Sequence, residues 1–189
     1  MKLNIYITEK NITTLGPGNR FGIWVQGCYR DCEGCVAKAS HNPEFGKMVD
    51  VGALSWEIIN AEVEGVTISG GEPFLQAEAL AELIKKVRKI KDIGVIIYTG
   101  YLIEELSEVQ GADKLLELTD LLIDGPYVSE LDDGKSLRGS SNQRVIPLSE
   151  RYNNCLEMYG ADERKLQVIE HLDKVNIVGI PQISLLRKE

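Results

Sequence analysis

The chain is organised around one short stretch, Gly27-Cys28-Tyr29-Arg30-Asp31-Cys32-Glu33-Gly34-Cys35. Three of the four cysteines lie in it at the spacing C-x3-C-x2-C, and no fourth cysteine follows nearby. An iron–sulfur cube is usually held by four thiolates, so three thiolates in one loop leave one iron open. An open metal position is typical of a catalytic site, whereas structural sites are closed. The stretch therefore predicts a metal cluster that also binds a second ligand.

The composition is that of one globular domain. The chain has 189 residues, of which 43% are hydrophobic, and this length allows one full hydrophobic core. Crowded cysteines in a chain of this size indicate metal binding in a reducing compartment, not a disulfide framework. The net charge of −8 argues against a nucleic-acid partner, which would require a basic surface.

Targeting and membrane signals are not found in the sequence. No apolar stretch approaches the roughly 20 residues that a membrane-spanning helix requires. The first residues, Met1-Lys2-Leu3-Asn4-Ile5-Tyr6, lack the apolar core of a secretory signal. We therefore expect a single domain over residues 1–189, located in the cytoplasm and without a membrane partner.

Short apolar strands alternate with helices along the chain. The predicted strands cover residues 3–8, 21–26, 65–69, 94–99 and 120–124, and the predicted helices cover 51–60 (capped by Asp50), 76–91, 102–109 and 113–118. Strands this apolar are covered on both faces, and their alternation with helices predicts a parallel sheet. Such sheets bind ligands at the carboxyl ends of their strands, and we place the site there.

Two segments depart from this alternation. Residues 126–144 form a long polar stretch without periodicity, which is typical of a functional loop. Residues 166–170 and 175–180 predict a terminal β-hairpin, which either caps an open sheet edge or docks a partner. Trp24 and Trp56 are expected in the core, Cys155 as a buried free thiol, and His171 at the surface.

A second motif, Gly70-Gly71-Glu72-Pro73, follows the predicted strand 65–69. Together with the cysteine stretch ahead of it, this motif resembles the radical S-adenosylmethionine (SAM) superfamily. Further motifs make the chain similar, from Thr13 to Ile146, to the anaerobic ribonucleotide reductase activating proteins, which activate glycyl-radical enzymes. These motifs are Gly16-Pro17-Gly18-Asn19-Arg20, Tyr98-Thr99-Gly100-Tyr101, Asp124-Gly125-Pro126 and Arg138-Gly139-Ser140-Ser141-Asn142-Gln143-Arg144. The segment after Pro147 is longer than that compact group needs.

The resemblance implies a fold and a reaction. The fold is α/β, a partial (β/α) barrel of the radical SAM type, with its core at about 13–146 and a C-terminal β-hairpin extension at about 147–189. The cofactors are a [4Fe-4S] cluster on the catalytic and metal-binding residues Cys28, Cys32 and Cys35, and SAM on the open iron. The implied reaction generates a glycyl radical on an anaerobic ribonucleotide reductase, with flavodoxin or ferredoxin as electron donor.

The resemblance also implies cofactor-binding residues. They are Gly34, Cys35, Val36, Gly70, Gly71, Glu72, Thr99, Asp124 and Arg144. Glycines without Cβ let the backbone approach SAM closely, and Glu72 accepts a hydrogen bond from the SAM ammonium group. Thr99 and Asp124 line the ribose or a nearby cation, and Arg144 pairs with the SAM carboxylate.

Two other interpretations remain open at the level of sequence. The three cysteines with His41 have the composition of a structural zinc site, which would make the chain a non-catalytic interaction module. On the cluster interpretation His41 has no role and is expected to be an exposed polar residue. A radical SAM enzyme acting on a peptide or a small molecule is the other alternative, and the added C-terminal hairpin favours it.

Overall fold

The computed structural model describes residues 1–135, 137–155 and 163–182. The elements of these residues are, in chain order, β1 (Lys2–Ile12), β2 (Arg20–Val25), β3 (Lys47–Asp50), α1 (Val51–Asn60), β4 (Gly65–Gly70), α2 (Ala77–Arg88), β5 (Gly94–Tyr98), α3 (Ala112–Leu116), β6 (Leu121–Asp124), β7 (Arg144–Pro147), β8 (Leu166–Glu170) and β9 (Val175–Gly179). The predicted extension over 147–189 therefore lies partly outside the described residues.

Seven strands form one mixed sheet in the order β3-β1-β2-β4-β5-β6-β7. The four central strands, β2, β4, β5 and β6, run parallel, with Trp24 opposite Ser69 and Ile68 opposite Ile97. The outer strands β1, β3 and β7 are antiparallel to their neighbours. The predicted parallel arrangement is thus confirmed for the centre of the sheet, and it brings the carboxyl ends of four strands to one edge.

The two faces of the sheet are covered by different parts of the chain. Along β5, Val95 and Ile97 join the cluster beneath the helices, while Ile96 points to the opposite face. On that opposite face Ile96 packs with Tyr152, from the segment that follows β7. Further along the same covering segment, Val178 packs with Ile12 and Leu15. Burial on both faces explains why the central strands are apolar throughout.

The helices begin and pack as their sequences predict. The carboxylate of Asp50 accepts hydrogen bonds from the backbone N–H groups of Gly52 (2.8 Å) and Ala53 (3.1 Å), which fixes the start of α1. These bonds lower the pKa of Asp50. The helix α2 buries Leu80 and Ile84 at helical spacing. In the part of the chain that the structure describes, no helix combines the length and the apolar character that crossing a membrane would require.

Several elements differ from the sequence predictions. The strands β3 and β7 were not predicted, because each has four residues, lies at a sheet edge and has little buried surface. The helix α2 ends at Arg88 instead of residue 91, and the helix expected over 102–109 is a short 3-10 helix, Ile103–Glu108. Trp56 was expected in the core and is 65% exposed, since α1 buries its opposite side.

The two C-terminal strands form a pair separate from the main sheet. They run antiparallel, with Gln167 opposite Val178 and Val168 opposite Ile177. Because side chains alternate along a strand, Gln167 and Val178 share one face of this hairpin, and Val168 and Ile177 share the other. Val178 is buried, whereas Val168 and Ile177 are exposed. The hairpin therefore packs on the rest of the protein through one face only.

Candidate functional site

One cavity lies where the parallel strands end. Its lining includes Trp24 from β2, Ser69 from β4, Tyr98 from β5 and Gly125 just after β6. Its empty space, with the open mouth included, is about 1020 Å³. The carboxyl edge of the sheet therefore carries an open cavity, at the place that the sequence predicts for the site.

The three clustered cysteines all line this cavity. Cys28, Cys32 and Cys35 are free thiols and partly buried. Their loop is held by backbone hydrogen bonds, in which the Cys28 N–H donates to the His41 carbonyl (3.0 Å) and the Cys35 N–H to that of Cys32 (3.2 Å). Gly34 has a φ of +72°, which turns the chain between the second and third cysteines, and it is not itself a lining residue.

The thiols share the cavity without converging on one point. Among the residues that the structure describes, no group of three or more His, Cys, Asp or Glu side chains is placed to hold a metal ion as it stands. Burial raises the pKa of the Cys28 and Cys35 thiols. Metal ligands must be thiolates, so binding of a metal at this loop would release their protons.

His41 is part of this site, which corrects the expectation of an exposed residue without a role. It is partly buried and lines the cavity, and its Nε2 lies 3.4 Å from the Sγ of Cys35. Its backbone carbonyl accepts the Cys28 N–H. The signal in the sequence was its nearness to the loop, six positions after the last cysteine, which had suggested His41 only as a zinc ligand.

Gly70 and Gly71 lie where the chain leaves β4, and both line the cavity. Gly70 has a φ of +104°, and a Cβ there would come within 2.6 Å of the backbone nitrogen of Val25. A Cβ on Gly71 would lie 2.2 Å from the carbonyl oxygen of Gly27. Both glycines thus take the predicted place, and their missing side chains allow close packing against the start of the cysteine loop.

Glu72 is a buried carboxylate in the cavity wall, only 2% exposed. It accepts hydrogen bonds from the Thr99 hydroxyl (2.8 Å) and from the backbone N–H groups of Phe74 (3.0 Å) and Gly100 (2.8 Å). Burial raises its pKa, and these hydrogen bonds with the nearby charge of Arg30 offset only part of that effect. A carboxylate has about four acceptor positions, so one more donor can bind. A cationic donor would favour the ionised form.

Asp124 and Arg144 are not among the residues that line the cavity. Asp124 is fully buried and accepts hydrogen bonds from the Arg144 guanidinium (Nε at 2.9 Å) and from the Ile103 N–H (2.8 Å). Arg144 also pairs with Glu104 at 2.7 Å, and this contact lowers the pKa of Glu104 to about 2. Both carboxylates raise the pKa of Arg144. The arrangement therefore gives no support to the predicted contacts of Asp124 and Arg144 with SAM, because the two residues bind each other.

Arg30 is a lining residue that sequence reasoning missed. Its guanidinium lies 3.0 Å from the carboxylate of Glu105, and its central carbon is 4.3 Å from the centre of the Tyr101 ring. A guanidinium over an aromatic face is attracted to it. Arg30 therefore joins the cysteine loop to the segment after β5, which also contains Thr99. Its position between two cysteines was the only signal in the sequence.

The long polar loop contributes three more lining residues, Tyr127, Gly139 and Gln143. The Tyr127 hydroxyl donates to Asp132 (3.2 Å), and burial together with this carboxylate raises the pKa of Tyr127 to about 12. The sequence predicted that this loop is functional from its length, without indicating which of its residues reach the site. Val36, predicted to bind a cofactor, lines the cavity and is half-exposed.

The side chains that line the cavity fit the predicted cluster. The fourth cysteine, Cys155, is not among them: it packs beside Tyr152 and is only partly buried, against expectation. Within the described residues the cavity therefore receives three cysteines, and a cube bound there would keep one iron for another ligand. Beside the thiols lie glycine backbone and the Glu72 carboxylate, which accepts a cationic group.

Comparison with known proteins shows clear relatives. The family described as "4Fe-4S single cluster domain" matches residues 14–146. The anaerobic ribonucleoside-triphosphate reductase-activating protein of Escherichia coli strain K12 is 34% identical, over 69% of this chain and 89% of the relative. The protein of the same name from Enterobacteria phage T4 is 31% identical, over 69% and 85%. Pyruvate formate-lyase 1-activating enzyme of E. coli strain K12 is 32% identical, over 79% and 62%.

The fold and the site define an iron–sulfur protein of the 4Fe-4S single cluster domain family. Within it, the chain belongs to the radical SAM activating enzymes, together with the anaerobic ribonucleoside-triphosphate reductase-activating proteins. The resemblance drawn from the sequence over residues 13–146 is thereby confirmed. The predictions that the chain is an enzyme and that its cofactors are a [4Fe-4S] cluster and SAM are confirmed with it. Membership also decides against the zinc interpretation of the cysteine loop.

Proposed function

We propose that this enzyme generates a glycyl radical on a partner enzyme, an anaerobic ribonucleotide reductase. The observation that carries the proposal is that Cys28, Cys32, Cys35 and the buried Glu72 share one cavity in a chain of this family. Two relatives whose length the chain covers by 85% and 89% are named as activators of anaerobic ribonucleoside-triphosphate reductase. The function in their names is the one that we transfer to this chain.

The cysteine loop would hold the cluster. Cys28, Cys32 and Cys35 would ligate three irons, and the amino and carboxylate groups of SAM would bind the fourth. When bound, the reduced cluster would supply one electron to a C–S bond of SAM, and this chemistry would yield methionine and, once a hydrogen atom has been taken from glycine, 5′-deoxyadenosine. His41 would position the Cys35 side chain, since its ring nitrogen contacts that sulfur.

Glu72 would bind the ammonium group of SAM. Three neutral donors hold its two oxygens in one orientation, and the ammonium would be its cationic partner in the cavity. Thr99 thus acts through Glu72, and we propose this role for it in place of a ribose contact. A charge-assisted hydrogen bond between buried groups is stronger than a neutral one, so Glu72 fixes the methionine end of SAM.

Apolar side chains would protect the reacting end. Leu15, Trp24 and Val36 line the same cavity as the thiols. These side chains exclude water from the space around the ligand. The open mouth would let a loop of a partner protein bring its glycine to the reacting end.

The test is formation of the glycyl radical. Reduced holoprotein with SAM and an anaerobic ribonucleotide reductase should give a glycyl doublet in the electron paramagnetic resonance (EPR) spectrum. Cys35→Ser should abolish the doublet and the cluster, while Cys155→Ser should leave both unchanged, because Cys155 lies outside the cavity lining. Formation of 5′-deoxyadenosine without a doublet on any glycyl-radical partner would refute the activating role.

A second candidate is a radical SAM enzyme that acts on a peptide or a small molecule. It is favoured by one observation: residues 179–181 line the cavity although they lie outside the family match at 14–146. The same assay separates the two candidates. A product modified on a free peptide, with no doublet on the reductase, would favour this second reaction.

We propose further features from the same family. The mixed α/β sheet would curve as a partial (β/α) barrel that carries the C-terminal hairpin as an extension, within one domain over 1–189. Flavodoxin or ferredoxin would supply the electron, and the protein would act in the cytoplasm. Purified flavodoxin replacing a chemical reductant in the doublet assay tests the donor.

A further inference from the structure

The C-terminal extension contributes to the cavity although it lies outside the family match. Gly179, Ile180 and Pro181 line the same cavity as Cys35 and Trp24. The chain turns into the cavity at Gly179, whose φ is +136°, and a Cβ there would lie 2.5 Å from the Lys165 carbonyl oxygen. Only glycine adopts this turn without strain. Leaving β9, the chain therefore becomes one wall of the site.

The hairpin is anchored to the first strand and the segment after it. Glu9, on β1 and 6% exposed, accepts a hydrogen bond from the Asn176 side chain (2.6 Å) and lies 2.9 Å from the His171 ring nitrogen. The Gln167 side chain donates to the Asn11 carbonyl (2.8 Å). His171 is exposed, as predicted, and it is also one of the anchors. These contacts fix the docked face of the hairpin.

A second anchor holds the start of the hairpin to the long polar loop. Arg164 and Asp132 form an ion pair at 2.8 Å, and their side chains are 5% and 7% exposed. Arg164 also donates to the carbonyl of Gly139 (2.6 Å), and Asp132 accepts from the Tyr127 hydroxyl. Gly139 and Tyr127 line the cavity. The extension is therefore tied to the opposite wall of the site by a buried ion pair.

The two anchors make residues 180–181 a firm apolar surface. Ile180 is partly buried against the cluster of Ile12, Leu15 and Val178. Pro181 lines a neighbouring groove with Val36, which follows the last cysteine of the loop. The side chains of Ile180 and Pro181 offer no hydrogen-bonding group. A wall of this kind excludes water and limits the width of what can lie beside the cysteine loop.

We infer that Ile180 and Pro181 are specificity-determining residues, which admit an extended polypeptide segment with glycine at the reacting position and exclude bulkier side chains. The inference rests on the proposed function. SAM and the reacting carbon would have to lie together in this cavity, which Ile180 and Pro181 line alongside the cysteine loop. Every side chain of an entering segment would have to fit beside this wall, and glycine alone brings none. Steric exclusion of competitors is an established route to specificity.

The test enlarges the wall at one residue and compares it with a matched position. Ile180→Trp should lower the yield of the glycyl doublet on the reductase by about tenfold or more, because pocket shape discriminates on that scale. It should leave the SAM-induced change in the cluster EPR spectrum intact, and also the slow formation of 5′-deoxyadenosine without a partner. Val168→Trp should change none of these, since Val168 lies 61% exposed on the outer face of the same hairpin and lines neither the cavity nor the neighbouring groove.

The outcomes are distinguishable. If wild-type protein gives no doublet, the proposed function fails, and the inferred choice of substrate fails with it. If wild type and Ile180→Trp give equal doublets, the function stands and the inference is wrong. Equal loss in Val168→Trp would indicate an effect on docking of the partner, and loss of the SAM-induced spectral change in Ile180→Trp would indicate a wall facing SAM. Both results would overturn the inference.

A second measurement needs neither the partner nor SAM. If residues 180–181 shield the cysteine loop, ferricyanide should bleach the visible absorbance of the cluster several-fold faster in Ile180→Gly holoprotein than in wild type. Val168→Gly should match wild type, which controls for loosening of the hairpin. Equal bleaching rates in all three proteins would mean that this wall does not cover the cluster side of the cavity.

Discussion

Glu72 and Asp124 both lie just where a parallel strand gives way to a loop, and both carboxylates are buried, yet their surroundings differ. Glu72 is bound by a hydroxyl and two backbone N–H groups, all neutral, and it lines the cavity. Asp124 is paired with the guanidinium of Arg144 and lies outside the lining. Both residues lie at the same edge of the sheet, but only Asp124 is paired with a cationic side chain of the protein, that of Arg144.

The difference separates a binding carboxylate from a structural one. Burial of a carboxylate is costly unless a cation or several donors compensate for it. At Asp124 the chain supplies that cation itself. At Glu72 only neutral donors are in contact, and the raised pKa shows that they do not compensate fully. A cationic ligand group completes the site at Glu72, whereas at Asp124 the pair holds β6 and β7 together.

Replacing Glu72 should produce the largest effect on ligand binding. We expect Glu72→Gln to weaken SAM binding by about 2–3 kcal/mol, about 30- to 150-fold in Kd, which is the range for hydrogen bonds to charged groups. The free energy of unfolding should stay nearly constant, since a neutral amide is easier to bury than a carboxylate. Titration with SAM, followed in the EPR spectrum of the cluster, measures the Kd for SAM. Unfolding in a denaturant series measures the free energy of unfolding. If Glu72→Gln lowered the free energy of unfolding and left the SAM affinity unchanged, Glu72 would be a structural carboxylate and not a binding one.

Replacing Asp124 should lower the stability of the fold and leave SAM binding unchanged, the opposite of the result expected for Glu72. Asp124→Asn should lower the free energy of unfolding by about 1–3 kcal/mol, because a buried acceptor loses its charge while Arg144 stays partly solvated. The SAM affinity should remain that of wild type. The same denaturant series and SAM titration apply, and Glu104→Gln is the matched control. It removes the exposed partner of the same arginine and should be almost neutral. A large rise in the Kd for SAM would place Asp124 in the binding site after all.

Glu9 is a third buried carboxylate, and it adds a dependence on pH. Burial opposes its ionisation, but hydrogen bonds from Asn176 and His171 outweigh burial and lower its pKa below the ordinary 4.5. A depressed pKa stabilises the fold above the unfolded-state value, and this contribution is lost as pH falls through the folded-state pKa. Glu9→Gln should therefore expose the β8–β9 amides to faster hydrogen exchange at neutral pH.

The difference between the two proteins should then shrink on acidification. Comparing exchange at about pH 6 and about pH 3.5 removes the intrinsic pH dependence, since both proteins share it. A difference that stays constant or grows at the lower pH would show that Glu9 does not anchor the hairpin through its charge. The effect is expected to be the smallest of the three, because the buried contact of Val178 remains.

Much of the site could be predicted from local sequence. The cysteine spacing and the turn Gly70–Pro73 each lie within a few residues, so the chain cannot separate their members in space. The parallel strands that position them were also predictable, because strands covered on both faces are apolar throughout. The edge strands β3 and β7 were not predicted, because few of their side chains are buried and their sequences therefore lack a continuous apolar run.

The sequence by itself determined the chemistry at the cysteine loop and the strand that brings Glu72 to it. Only the tertiary structure decided that Arg144 binds Asp124, that His41 contacts Cys35, and that residues 179–181 form a wall of the cavity. These contacts join residues or segments that follow no shared motif or period. Which partner a side chain meets then depends on how the sheet, the polar loop and the hairpin pack, and no local pattern records that packing.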